Sequence, residues 1–247
     1  ALSSAASDVY KRQEVNDDLR PTVNGKGSYD VIVPKFQKLI EGRGTKDYYL
    51  RGTFTRFHQD FAEDVKALAS IGRNISVEPV VGKEDDPYAL QEADLPALKA
   101  EYERLAEYLR DHPETNFFHF NVDLAQGPCV IKRLRGCGAG CEYVAITPEG
   151  DIYPCHQFVG NEDYKLGSLY DGTFDKELSG RFAGLNIYTR EECRDCWARF
   201  YCSGGCSASN LLVNGDIKKP HRVGCELERK RLECAIALRA IAAGMAE

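Results

Sequence analysis

The sequence predicts an α/β fold over residues 14–127, followed over 128–247 by a small, loop-rich, cysteine-rich domain that ends in a helix. Two observations carry this. Strand-like and helix-like segments alternate from Glu14 to about Gly127, the pattern of parallel-sheet or barrel units. All ten cysteines then fall between Cys129 and Cys234, in a stretch of short apolar runs and frequent glycine.

Residues 1–13, which include "SSAASDVYKRQ", resemble translated sequencing-adapter read-through, and no initiator Met precedes them. They are set aside as an expected non-native leader. Ser28 is a candidate cap for a helix whose apolar positions Tyr29, Ile32, Val33, Phe36, Leu39 and Ile40 keep helical spacing. "DYYLRGTFT" (47–55), aromatic and β-branched, reads as a strand. A short helix over about 61–71 follows, with Gly72 as its C′ residue. "ISVEPVV" (75–81) is a second strand, closed by an acidic turn. Asp94 and Pro96 open a longer helix with Leu95, Leu98, Tyr102, Leu105 and Leu109 on one face. "NFFHFNVDL" (116–124) reads as a third strand. Three strands are too few to close a barrel, so the region reads as the second half of one. Beyond 128, "YVAITPEGDIYPC" (143–155) is a hairpin around a Pro-Glu-Gly-Asp turn, and a helix runs from about Glu226 to Ala243.

Composition narrows the function. A net charge of −6 lacks the cationic footprint that nucleic-acid binding needs. No apolar run approaches a membrane span. The start has no apolar secretory segment, which argues against a disulfide scaffold of the secreted kind.

The thiols carry the chemistry. "ECRDCWARFYCSGGC" (192–206) spaces four of them as C-x2-C-x5-C-x3-C, and Cys225 follows. Upstream, Cys137 stands twelve residues before Gly150, which begins a G-x4-C ending at Cys155. Short loops of this kind aim paired sulfurs inward at one metal centre. Seven thiolates do not divide into two tetrads, so an eighth ligand must come from a spare cysteine or from outside the chain. Spacing alone suits zinc or iron–sulfur. Gly204 and Gly205 suit a backbone passing close to a bulky cluster, and with the aromatic context they favour iron–sulfur. Cys234, flanked by Leu232, Ala235 and Leu238, reads as a small buried hydrophobe. His156 reads as solvent-facing, Trp197 and Tyr201 as packing around the metal sites, and "KKPHR" (218–222) as a solvated basic loop.

This string of cysteines resembles the signature of the SPASM domain, the C-terminal extension of radical S-adenosylmethionine (SAM) enzymes that modify peptides. "VNDDLRPTVNGKGSYD", "GPCVIKRLRGCGAGCEY", "GDIYPCHQFVG" and "ECRDCWARFYCSGGC" look like the maturases of six-cysteine (SCIFF) peptides, which install thioether crosslinks. The resemblance implies two auxiliary [4Fe–4S] clusters. Cys193, Cys196, Cys202 and Cys225 would close one. Cys137, Cys155 and Cys206 would hold the other, with Cys129, then Cys141, or a substrate thiol as its fourth ligand. The first half would be the back of a partial (β/α)6 barrel, with Arg51 pairing the SAM carboxylate and Glu78 at the same barrel mouth. The family's reductive C-x3-C-x2-C triplet is missing from this sequence, so the chain is expected to be the inactive C-terminal part of a longer parent. That parent would use SAM and a third cluster. It would act in the cytoplasm on a cysteine-rich peptide with a leader, with a flavodoxin or ferredoxin as electron donor. A radical SAM/SPASM maturase of another class, for sulfatases or a cofactor peptide, is the alternative. A non-enzymatic zinc-binding module is a further one.

Overall fold

A computed structural model describes residues 5–8, 12–123 and 130–245. The chain divides into two compact units, one of residues 1–122 with 229–247 and the other of 123–228.

The first unit is built on a four-stranded parallel sheet in the order β1 (Ala5–Asp8), β2 (Tyr48–Phe54), β3 (Asn74–Pro79) and β4 (Asn116–Phe117). Residues 5–8, set aside above, thus pair as its edge strand, and Arg12 reaches Asp60 Oδ2 at 2.5 Å. Alternate residues of β2 are buried. Leu50 and Phe54 face the helical layer, while Arg51 and Thr53 share the other face with their register partners Ser76 and Glu78. In β3 both faces are largely buried, as parallel strands are.

Helix α1 (Gln13–Leu19) leads to α2 (Tyr29–Arg43), and α3 (Phe61–Ala69) and α4 (Leu95–Asp111) alternate with the strands. Phe54 stacks on Phe61 at 4.4 Å between ring centroids, and Phe61 meets Tyr102 of α4 at 4.6 Å. Leu68, Leu98 and Leu105 complete this fully buried core. Ser28 does start α2, but not by capping it. Its hydroxyl donates to Arg20 O and accepts from Asn16, while Asp17 takes the Tyr29 N–H at 2.8 Å. Gly72 does receive the chain after α3, with its N–H on Leu68 O at 3.0 Å. Its reason is space rather than left-handed backbone: a Cβ there would lie 2.8 Å from Ile40 Cδ1.

The third strand is shorter than its pattern predicts. After two paired residues, Phe118–Phe120 winds into a 3-10 turn. The turn puts Phe117 and Phe120 together at 5.1 Å, edge to face, and leaves Phe118 exposed. Burying two rings at three-residue spacing outcompetes strict alternation here.

The second unit opens with α5 (Val130–Arg135). A small antiparallel sheet follows: β5 (Ala145–Ile146), β6 (Asp151–Tyr153), β7 (Gly167–Ser168) and β8 (Thr173–Phe174). The predicted hairpin turns at Gly150, whose φ of 81° is a glycine conformation. Then come α6 (Lys176–Ala183), α7 (Arg199–Cys202) and α8 (Ser207–Asn214). The core gathers Ile152, Phe158, Leu166, Leu178, Phe182 and Ile217 around Cys155. Helix α9 (Arg222–Ala242) ends the described elements, its latter part belonging to the first unit. No helix among the described residues is long and apolar enough to cross a membrane.

Candidate metal centre

Turns and helix ends place most of the described cysteines of the second unit, while Cys225 lies inside α9. Cys137 lies in a glycine loop in which Gly136, Gly138 and Gly140 have φ of 78°, 74° and 78°. Gly140 donates its N–H to Pro154 O at 3.0 Å, tying that loop to the residue before Cys155. Cys155 is buried two residues after β6, where its carbonyl accepts the Phe158 N–H at 3.0 Å. Cys206 stands at the N-cap of α8. Cys137 and Cys206 both lie within electrostatic range of Cys155. Tyr143 joins this group, with its hydroxyl 3.9 Å from Cys137 Sγ. Burial and then the Cys137 and Cys155 sulfurs push that hydroxyl's pKa well above the ordinary tyrosine range.

A second group forms around the quoted run. Cys193 closes a 3-10 turn, and Cys196 N–H bonds Cys193 O at 3.2 Å. Cys202 ends α7, and the chain then takes three left-handed residues, Ser203, Gly204 and Gly205, at φ 59°, 90° and 72°. In that curl Gly205 donates its N–H to Cys202 O at 3.4 Å, and the amides of both glycines lie close enough to act on the Cys202 thiol. Cys202 is within electrostatic range of Cys225 and Cys193, and Cys193 of Cys196. Burial pushes the Cys202 thiol up to about 11, and the two glycine N–H groups oppose the shift. Burial likewise raises Cys155 and Cys193.

The described cysteines are all free thiols. Among the described residues, no three of His, Cys, Asp and Glu converge tightly enough to grip a single ion. A zinc tetrad needs its sulfurs on one ion, whereas a cubane gives each sulfur its own iron and spreads them further apart. Free thiols in two groups, with Cys155 and Cys193 buried, and a buried Arg190 Nε–H without a hydrogen-bond partner fit groups of the cubane kind. Cys129 lies outside the described residues. Cys141 is exposed and turns its thiol to Gly138 O at 3.4 Å. Cys234 is buried, its thiol pushed up to about 11 by burial. Trp197 is half exposed and Tyr201 partly so, with the Arg133 guanidinium 6.0 Å above the Tyr201 ring. His156 is exposed. In the 218–222 loop, Lys218 and Lys219 are exposed and His221 Nδ1 meets Ser209 Oγ at 3.0 Å.

On the inner face of the parallel sheet, Arg51 Nη2 pairs with Glu78 Oε1 at 3.0 Å, both half exposed. Ser76 Oγ donates to the same oxygen at 3.1 Å and lies 3.1 Å from His119 Nε2. Arg231 Nη1 is 3.1 Å from His119 Nδ1. A guanidinium only donates, so Nδ1 accepts and the ring's proton sits on Nε2, facing Ser76 and Glu78. Burial, then the charges of Arg231 and Arg51, hold His119 well below the ordinary imidazole pKa and therefore neutral. The family resemblance pointed to Arg51 and Glu78 alone. Ser76 was legible as the residue two before Glu78 on the same strand face. His119, Arg231, Tyr143 and Arg190 carry no spacing signal.

Residues 137–197 match the SPASM family, described as an iron–sulfur cluster-binding domain. The mycofactocin maturase MftC of Mycolicibacterium smegmatis is 26% identical over 234 residues, which is 89% of this chain and 58% of that protein. Its counterpart in Mycobacterium ulcerans is 28% identical over 84% of this chain and 56% of its own length. The chain thus spans a little over half of these curated relatives. Among solved structures, anSMEcpe with bound AdoMet and a peptide superposes with a TM-score of 0.70 at 16% identity, covering 97% of this chain and 69% of that one. Streptococcus suis SuiB bound to S-adenosylmethionine gives 0.56 at 18% identity, over 89% of this chain and 53% of its own. Residues 137–197 thus match the SPASM family, in a chain that has the fold of anSMEcpe and resembles mycofactocin maturases in sequence.

Proposed function

We propose that this chain is the C-terminal portion of a radical SAM peptide maturase that joins cysteine sulfur to carbon in a ribosomally made peptide. The observation that carries the reading is the division of the thiols into two groups in and just beyond the residues that match the SPASM family. Cys193, Cys196, Cys202 and Cys225 would hold one auxiliary [4Fe–4S] cluster. Cys137, Cys155 and Cys206 would hold the other, with Cys129, Cys141 or a substrate thiol completing it. When bound, the clusters supply electron transfer and a place where a thiolate is activated. In the first unit, Arg51 presents a fork suited to the SAM carboxylate, and Glu78 holds that fork in place. The parent would also bind SAM at a third cluster, draw electrons from a flavodoxin or ferredoxin, and work in the cytoplasm. This portion alone would be inactive.

The likeness to mycofactocin maturases favours a second reading, maturation of a cofactor peptide without a thioether. Two experiments decide. Anaerobically purified protein that is brown and contains iron and acid-labile sulfide supports the clusters. A colourless protein with stoichiometric zinc would sink them. The full-length gene, co-expressed with a cysteine-rich peptide, should yield a product lighter by two hydrogens for each C–S bond, with the joined sulfurs closed to alkylation. A modified product that keeps all its thiols turns the assignment to the second reading.

A further inference from the structure

Among the described residues of the second unit, Arg190 is the most deeply buried charge, at 3% exposure. It is fixed by backbone rather than by a carboxylate. Nη1 donates to Ile217 O at 2.9 Å and to Lys218 O at 3.3 Å, and Nη2 donates to Ser207 Oγ at 3.1 Å. Its Nε–H is buried and has no hydrogen-bond partner. Asp216 is the carboxylate whose charge reaches it, and the sulfurs within its range are Cys193, Cys202 and Cys206. The first two belong to one thiol group and the third to the other.

The Gly-Gly pair shows how the side chain gets there. A Cβ on Gly204 would lie 2.9 Å from Arg190 Nε and 3.0 Å from its Cδ, whereas a Cβ on Gly205 would meet nothing within 4 Å. Gly204 is therefore small to admit the arginine, into the short link between Cys202 and Cys206. A cation without a carboxylate partner is costly to bury, and an N–H left unbonded adds to the cost. Both costs are offset when anionic sulfur surrounds the group.

We propose that Arg190 is a shared positioning charge for both cluster sites: one buried guanidinium, held by the carbonyls of Ile217 and Lys218, that stabilises the thiolates of the two groups and raises the reduction potential of the clusters they carry. The inference rests on the iron–sulfur reading above. A cluster bound by thiolates is already anionic, and taking up one electron adds one more negative charge. A fixed cation in a low-dielectric interior favours the more negative form of each neighbour. The electron comes from the titrant in the test below, and nothing else is transferred.

The test is an anaerobic reductive titration with a low-potential titanium(III) chelate, followed by electron paramagnetic resonance, on the reconstituted chain and its Arg190→Gln and Arg190→Lys variants. Iron and sulfide in the wild-type protein check the reading on which the inference stands, and their absence there overturns both. With clusters present, Arg190→Gln should keep its iron while both reduced-cluster signals appear only at lower potential. Arg190→Lys, which keeps the charge, should stay close to wild type. Arg190→Gln losing iron while Arg190→Lys retains it also supports the charge. Unmoved signals in fully loaded Arg190→Gln, or movement of only one, overturn the proposal and leave the iron–sulfur reading intact. Equal loss of iron from both variants would assign Arg190 a packing role only and overturn it too.

Discussion

Adjacent glycines provide an internal control for what the 203–205 curl is for. Gly204 and Gly205 are both left-handed, at φ 90° and 72°. Placing alanine at either costs the strain of an L-residue in that region, about 1–2 kcal/mol. Only Gly204→Ala also drives a methyl to 2.9 Å from Arg190 Nε, a side chain pinned by three hydrogen bonds. Moving it aside gives up at least one bond from a charged donor, about 1.5–3 kcal/mol net. Gly204→Ala should therefore cost about 2.5–5 kcal/mol and Gly205→Ala about 1–2, a gap of roughly 2 kcal/mol.

Urea denaturation of the metal-free, reduced protein measures this gap as about 1 M between the two midpoints, for a slope near 2 kcal/mol/M. Equal losses would refute the claim that Gly204 makes room for Arg190. Loading then separates the roles. The open space at Gly205 is where a bulky cluster can approach the backbone, so Gly205→Ala should reduce iron uptake by more than its small stability loss explains. Iron uptake at the wild-type level would show that this space has no such use.

Other outcomes follow from the same geometry. Tyr102 is fully buried, its hydroxyl has no hydrogen-bond partner, and burial pushes its pKa up to about 12. Tyr102→Phe should therefore be neutral or stabilising by about 1 kcal/mol, and a loss of that size in urea would mean the hydroxyl is satisfied. His119 is held below its ordinary pKa in the folded state. Its contribution is complete above the unfolded value of about 6.5 and is lost as pH falls from there towards the folded value, by about 1.4 kcal/mol per pH unit. His119→Gln should flatten that part of the stability–pH curve, and an unchanged slope would assign it to other groups. Serine substitutions should be non-additive within a thiol group and additive between groups. Cys193→Ser with Cys202→Ser should lose no more iron than either alone, while Cys202→Ser with Cys155→Ser should lose both shares. Additive loss within a group would break the assignment.

Periodicity made most of the scaffold legible, because burial of one face writes itself into spacing. Leu98, Tyr102, Leu105 and Leu109 of α4 and the alternation of β2 are of this kind. It failed where a polar or small residue serves a neighbour remote in sequence. Ser28 looks like a cap, yet its hydroxyl goes to Arg20 O while Asp17, eleven residues earlier, binds the helix amide. Phe118 fits a strand, yet pairing its neighbours' rings requires a turn. The metal region divides the same way. Its thiols are legible because a short loop must aim two sulfurs at one centre, a local constraint. The charges that act on those thiols answer to the fold instead. Arg190 is only three residues before Cys193, but its guanidinium is held by carbonyls 27 and 28 residues away. A glycine next to a cysteine is thus ambiguous in sequence, since the space it leaves serves either an inorganic cluster or a side chain. In this curl the two glycines divide those roles: Gly204 yields to a cation, and Gly205 leaves the open side. The cation's place in the link between Cys202 and Cys206 makes the C-x3-C segment the point where one residue's charge reaches both sulfur groups.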